Sequence, residues 1–227
     1  MWRNLKAMWS SAVIKMIAVG VAQTLTMTLV STIVAYIIGL PLGIALVITA
    51  DDGLKPNRAV YKILDVIVNI TRSIPFIILL ILIIPFTRLI VGKAYGTAGT
   101  IPPLTLAAAP FIARMVESSL REVDPGVIEA AQSMGASIWT IIFKVMINEA
   151  RTSLIINATI VLGTVLGYSA MAGTVGGGGL GDIAIRYGYH RYQPDIMLVT
   201  VALLVILVQI MQVIGTHIAK RVDRRIN

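Results

Sequence analysis

Long stretches without a single charged residue alternate along this chain with short polar interruptions. A helix crossing a hydrocarbon core of about 30 Å needs roughly 20 residues, and five stretches meet or approach that length. The first, residues 16–50, has no charge over 35 residues. At about 1.5 Å per residue it exceeds the bilayer and must tilt, protrude or break, and Gly39, Pro41 and Gly43 mark the expected break. A polar turn follows from Asp51 to Arg58. The second span, 63–86, contains Asp65, Arg72 and Pro75. The third, 94–113, stops at Arg114. One long charged segment, 114–151, separates it from the fourth span, 152–175, which ends at a glycine cluster. The fifth span, 196–219, leads to a basic tail of Lys220, Arg221, Arg224 and Arg225. The pattern predicts an all-α polytopic membrane protein of about five transmembrane helices, forming a single domain over residues 1–227 with no internal repeat.

Composition agrees. Charged residues make up 13% of the chain and hydrophobic ones 57%, with a mean hydropathy of +0.87. A soluble domain carries roughly twice that charged fraction. The net charge of +8 would suggest nucleic acid in a soluble protein. Here the basic residues stand between apolar runs, where they act as topology signals and contacts to anionic lipid. The absence of cysteine excludes disulfides and thiolate metal sites. The basic N-terminus (Arg3, Lys6, Lys15) could open a signal peptide, but the run behind it is far longer than a signal core of about 7–15 residues, so it is a retained span. With the tail, the 114–151 segment and the 51–62 turn placed inside, eleven basic residues face the cytoplasm against seven outside. That count favours an outside N-terminus and a cytoplasmic C-terminus, although the three N-terminal charges oppose it.

The 114–151 segment has its own helical grammar. Asp124 is placed as an N-cap with Pro125 at the first helical position. Residues 127–134 continue as a helix, Gly135 supplies its C-terminal turn, and Ser137 caps a second helix. Ala130 and Ala131 give the first helix a face of low bulk, open to close approach by a partner. One reading is an interfacial amphipathic connector. The other comes from Glu129-Ala130-Ala131, three residues and then Gly135, which resembles the EAA loop of ABC-importer permeases. The resemblance implies a coupling helix that docks on an ATPase subunit, carried by Glu129, Ala130, Ala131 and Gly135. The proline usual in that family thirteen residues beyond the glycine is Asn148 here, which leaves the kink of span four open.

The likeness narrows at Gly167-Tyr168-Ser169-Ala170-Met171, at Gly176 to Asp182, and at Ile185 to Tyr189, which are similar to methionine-importer permeases. Asn69 to Phe76 and Ser119 to Gly126 share it. The resemblance implies the type I ABC importer permease fold in a bacterial inner (plasma) membrane. It implies a second copy of the chain, two ATP-binding cassette subunits and an extracytoplasmic methionine-binding lipoprotein. Nucleotide and magnesium would belong to the cassette partner and no cofactor to this chain. In keeping with that, the only Gly-Lys pair, Gly92-Lys93, has no phosphate-loop context.

Several residues keep two readings. Gly176 to Gly181 fits a dinucleotide fingerprint formally, but it follows a membrane span rather than a strand. Gly176, Gly177, Gly178, Gly179 and Gly181 are either a plain turn or the outer mouth of a pathway. Tyr168 and Met171 share a helix face, as packing residues or as a gate on the substrate pathway. Arg72, like Asp65, is costly within a span; it is either an anchor or a ligand for a substrate carboxylate. Tyr187, Tyr189, His190 and Tyr192, with Arg186 and Arg191, form an interfacial aromatic belt or a surface for an external binding protein. No metal or acid–base constellation is visible. Rival functions are a permease for another amino acid or a quaternary amine, or a stand-alone channel or ion-driven carrier. A carrier calls for buried acids in mid-span, and Asp65 is the sole candidate.

Overall fold

The computed structural model describes residues 10–223, so Arg3, Lys6, Arg224 and Arg225 lie outside the described residues. Among those described, all regular structure is helical: α1 (Ser11–Thr49), α2 (Arg58–Ser73), α3 (Phe76–Leu82), α4 (Ile84–Val91), α5 (Gly96–Arg121), α6 (Pro125–Ser133), α7 (Ile138–Thr140), α8 (Ile147–Glu149), α9 (Arg151–Ala172), α10 (Gly179–Ile183) and α11 (Pro194–Val222). Two π-helical stretches, Ile141–Met146 and Ala184–Tyr189, join α7 to α8 and extend α10. Among the described residues, four helical segments are long and apolar enough to cross a membrane, or five if the broken pair α2–α3 counts as one span.

The expected break in the first span is absent. Helix α1 runs unbroken through Pro41, and the two glycines beside it serve packing instead. A Cβ on Gly39 would sit 2.6 Å from the Ala109 carbonyl oxygen, and one on Gly43 would sit 2.6 Å from that of Ala113. Four residues apart, they let α1 and α5 touch backbone to backbone, as small residues do between membrane helices. Hydroxyls within α1 fold back on their own helix, Thr26 onto the Ala22 carbonyl at 2.8 Å and Thr49 onto Ala45 at 2.7 Å, which spares a partner elsewhere.

The break falls in the second span. The side chain of Asn57 caps α2 through the Val60 N–H at 3.1 Å. The helix ends at Ile74 in extended conformation because a residue preceding proline is excluded from the helical region. In contrast, α5 runs eight residues past the expected border at 113, carrying Arg114, Glu117 and Arg121 on the helix itself. The charged loop therefore starts only after Arg121.

The chain divides into two compact units. One holds the described residues through Ser31 with Phe76–Leu104 and Thr164–Ile210; the other holds Thr32–Pro75, Thr105–Gly163 and the described residues from Met211. In the second unit Leu46, Val68 and Ala113 are fully buried, with Leu42, Tyr61 and Leu64 packed on them. In the first, Met27, Leu104, Leu166 and Leu180 are fully buried. Helix α11 by contrast exposes Leu198, Val201, Val205, Ile206, Ile210 and Val213, an apolar surface that water would not tolerate.

Replacing Gly39 with valine overfills a backbone contact and should cost about 1–3 kcal/mol. The melting temperature in detergent is expected to fall by several degrees. Gly163→Ala, where a Cβ meets nothing within 4 Å, should leave it unchanged or slightly higher.

Candidate functional site

The segment between α5 and α9 folds as its sequence grammar reads. Asp124 Oδ1 accepts from the Gly126 N–H at 2.7 Å, and Pro125 opens α6. Gly135, at φ +76°, occupies the left-handed region that an L side chain adopts only with strain. The turn is closed by the Gly135 N–H on the Gln132 carbonyl at 2.9 Å and the Ala136 N–H on that of Ala131 at 3.1 Å. Ser137 Oγ accepts from the Thr140 N–H at 3.3 Å. Both ends of this short helix are thus fixed without help from a partner.

The shared low-bulk face does not form as expected. Ala131 is buried, whereas Glu129, Ala130 and Gly135 are exposed. Ala131 seats α6 against its own chain, and Ala130 alone remains for an outside contact. It is flanked by large apolar groups: Met134 is 81% exposed and Trp139 67%. The Trp139 ring stacks on Phe143 at 6.0 Å between centroids. Trp139 and Phe143 escaped the sequence reading. Their four-residue spacing inside a charged segment was the available signal. Downstream, Asn148 Nδ2 donates to the Lys144 carbonyl at 3.0 Å, and the helix is interrupted at Ala150, between α8 and α9. The Ala150 N–H still donates to the Met146 carbonyl, and the Leu154 N–H to that of Ala150, each at 2.9 Å.

Behind α6, the end of α5 is held by an ion network. Arg114 pairs with Asp65 and, at 2.6 Å, with Glu117. Arg121 reaches Glu117 and Asp52, each at 3.3 Å. Tyr61 Oη donates to Glu117 Oε1 at 3.4 Å, and Asn69 Oδ1 accepts from Arg114 at 3.0 Å. Glu117 is only 5% exposed. Asp65 is therefore not the sole acid withdrawn from solvent, as the sequence suggested. Both carboxylates are compensated by arginine, which is what makes buried charge tolerable.

In the first unit the glycine cluster forms a sharp corner between helices. Gly176, Gly178 and Gly179 have φ of +78°, +82° and +77°. A Cβ on Gly177 would stand 2.7 Å from the Ala172 carbonyl oxygen, and one on Gly181 would collide with the Ala170 carbonyl. The freed backbone groups are met by side chains: Gly179 N–H donates to Gln23 Oε1 and Leu180 N–H to Thr24 Oγ1, both at 2.9 Å. Thr100 Oγ1 lies 3.3 Å from the Gly177 carbonyl oxygen. A helix, α9, rather than a strand leads into this corner, so the dinucleotide reading falls. Gln23, Thr24 and Thr100 were invisible beforehand, since nothing in their local sequence says which distant backbone groups they meet.

Nearby, Tyr168 stacks on Phe76 at 4.7 Å with the rings 7° from parallel, while Met171, one turn on, is 51% exposed. Arg191 lies 4.5 Å over the Tyr187 ring, Arg186 pairs with Asp182 at 2.7 Å, and the rings of Tyr189 and His190 meet edge-on at 5.2 Å. Among the described residues there is no cluster of metal-ligating side chains.

A family model described as "Binding-protein-dependent transport system inner membrane component" matches residues 39–227. The "Probable D-methionine transport system permease protein MetI" of Vibrio cholerae is 49% identical over 222 residues, covering 98% of this chain and 99% of that protein. The "Methionine import system permease protein MetP" of Bacillus subtilis is 45% identical over 180 residues, 79% of this chain and 81% of that one. Among solved structures, a chain of the inward-facing MetNI methionine ABC transporter superposes with a TM-score of 0.93 at 48% identity, covering 95% of this chain and all of that one. An amino acid ABC transporter solved with histidines shares the fold alone, at 16% identity and a TM-score of 0.80.

Substituting Glu117 with glutamine leaves Arg114 and Arg121 short of one carboxylate in a buried place, at a cost of about 1–3 kcal/mol. A melting temperature equal to that of the wild-type chain would show that the network contributes nothing to holding α5.

Proposed function

This chain belongs to the family of binding-protein-dependent transport system inner membrane components, and on that premise we propose that it is the permease subunit of an ATP-driven methionine importer. The observation that carries this reading is the 49% identity to a methionine permease over 98% of the chain. It is a multi-pass inner-membrane protein that moves a solute and catalyses no covalent chemistry of its own.

In this reading two copies pair, and the pathway runs along their interface. ATP and magnesium are bound by two cassette subunits, and a methionine-binding lipoprotein delivers the substrate from outside. Helix α6 is the coupling helix. Being capped at both ends, it moves as a body, and its exposed side presents Glu129, Ala130, Met134 and Trp139 to a cassette. Because ATP is hydrolysed in the cytoplasm, α6 and the C-terminus lie there and the N-terminus lies outside. The Gly176–Gly181 corner then stands at the outer mouth. The tyrosines around Arg191 face the lipoprotein, and Tyr168 with Met171 narrows the pathway. Asp65 and Glu117, each paired with arginine, lack the free carboxylate that an ion-driven carrier requires.

Proteoliposomes holding this chain with its cassette and lipoprotein should take up labelled methionine only with internal ATP, in competition with unlabelled D- or L-methionine. Uptake without nucleotide or cassette would falsify the importer reading, and competition by other solutes alone would remove methionine. Ala130→Leu adds bulk on the exposed face and should reduce cassette-coupled uptake about tenfold with the melting temperature unchanged, whereas Ala131→Leu, on the buried face, should lower that temperature instead. Replacing Met171 with alanine is expected to raise passive methionine leak; if leak and uptake both match wild type, Met171 is no gate.

A further inference from the structure

Arg58, Lys62, Asp65, Asn69 and Arg72 follow one another along α2 at spacings of four, three, four and three. That puts them on a single narrow stripe. At about 1.5 Å per residue the stripe is ~21 Å long. On one flank Tyr61, Leu64 and Val68 pack inward. On the other Ile63, Ile67 and Ile70 are exposed at 60%, 53% and 60%. A charged row of this length has no place against hydrocarbon, where each such side chain is costly. The stripe therefore faces protein or a water-filled space rather than lipid.

Most of its members are satisfied. Arg58 pairs with Asp51 at 2.7 Å. Asp65 is held by Arg114, and Asn69 Nδ2 donates to Asp65 Oδ2 at 3.2 Å. Lys62 sits exposed near the start of the helix, where a long flexible ammonium reaches solvent. Arg72 differs. It stands at the far end, in the last turn of α2, exposed and without an ion pair among the described residues. Its guanidinium carbon lies 5.9 Å from the centroid of the Phe111 ring, a contact that positions the group while leaving its N–H fork open. That fork matches a carboxylate in bidentate fashion. The Phe111 ring alongside offers an apolar surface on which a thioether packs well.

We propose that Arg72 receives the α-carboxylate of the transported amino acid on this polar stripe of α2, with Phe111 as the adjoining wall. The inference rests on the importer reading, which supplies an amino acid as cargo. The transient site needs only weak affinity, since a cargo held tightly inside the membrane would not be released.

The test is equilibrium binding of labelled methionine to the purified permease–cassette complex without its lipoprotein, with methioninol as the ligand that lacks a carboxylate. Arg72→Gln should weaken methionine binding at least about tenfold, the scale of a charge-assisted hydrogen bond. Arg72→Lys should recover part of it, and methioninol should bind neither protein. Size-exclusion and melting profiles are recorded alongside. Equal methionine binding by wild type and Arg72→Gln overturns the proposal, as does methioninol binding as well as methionine. So does separation of the two permease copies in Arg72→Gln, which would make Arg72 a subunit contact. If another α-amino acid binds in an Arg72-dependent way while methionine does not, the carboxylate site stands and the methionine reading falls.

Discussion

Backbone hydrogen bonding in the absence of water governs this molecule more than any single packing contact. A helix meets the requirement internally, so the chain is helical wherever it crosses apolar surroundings. The difficulty arises where a helix must stop. At the Gly176–Gly179 corner the main chain turns through three left-handed residues, and its N–H groups are accepted by Gln23 and Thr24 from α1. Two adjacent polar side chains on α1, more than 150 residues away in sequence, thus meet the backbone groups of a non-helical segment there. The glycines permit the turn; the side chains of α1 make it tolerable.

A second device, electrostatic rather than hydrogen-bonded backbone, holds the end of α5. Arg114, Glu117 and Arg121 recur on one side of α5, and their partners come from α2 and from the 51–52 turn. Pairing offsets the cost of holding these charges partly buried, and α5 reaches Arg121 before it releases the chain into α6. The interval from the ion network to the Asp124 cap is three residues. In the proposed importer a displacement of α6 therefore passes to α5 and α2 through charges that are too costly to separate, rather than through a flexible tether.

Two kinds of exposed apolar surface need different explanations. That of α11 is continuous, aliphatic and distributed along a spanning helix, which suits lipid or another spanning helix. That of α6 to the following π-helical stretch is compact, aromatic and flanked by Glu129 and Lys144. It suits a protein surface, where a few aromatic and methionine anchors supply most of the binding energy. The glycine pairing of α1 with α5 belongs to neither kind, since it is already filled within the chain.

How much of this was legible beforehand follows from the range of the interactions. Helical spans and the caps at Asp124, Gly135 and Ser137 were readable because each depends on residues within one or two turns of one another; the second span was read through Pro75, where the helix in fact stops. The resemblance carried by Glu129, Ala130, Ala131 and Gly135 was readable for the same reason. The opposed orientations of Ala130 and Ala131, the extension of α5 through Arg114, the pairing of Asp65 and Glu117, and the part played by Gln23 and Thr24 were not. Each is settled by a neighbour distant in sequence, and a local pattern holds no record of which helix will lie alongside. The case of Gly39 and Gly43 marks the boundary most clearly. Two glycines around a proline suggest a break when only the helix itself is considered. Tertiary structure turned them into a contact, because the carbonyls of Ala109 and Ala113 occupy the space that a side chain would have filled.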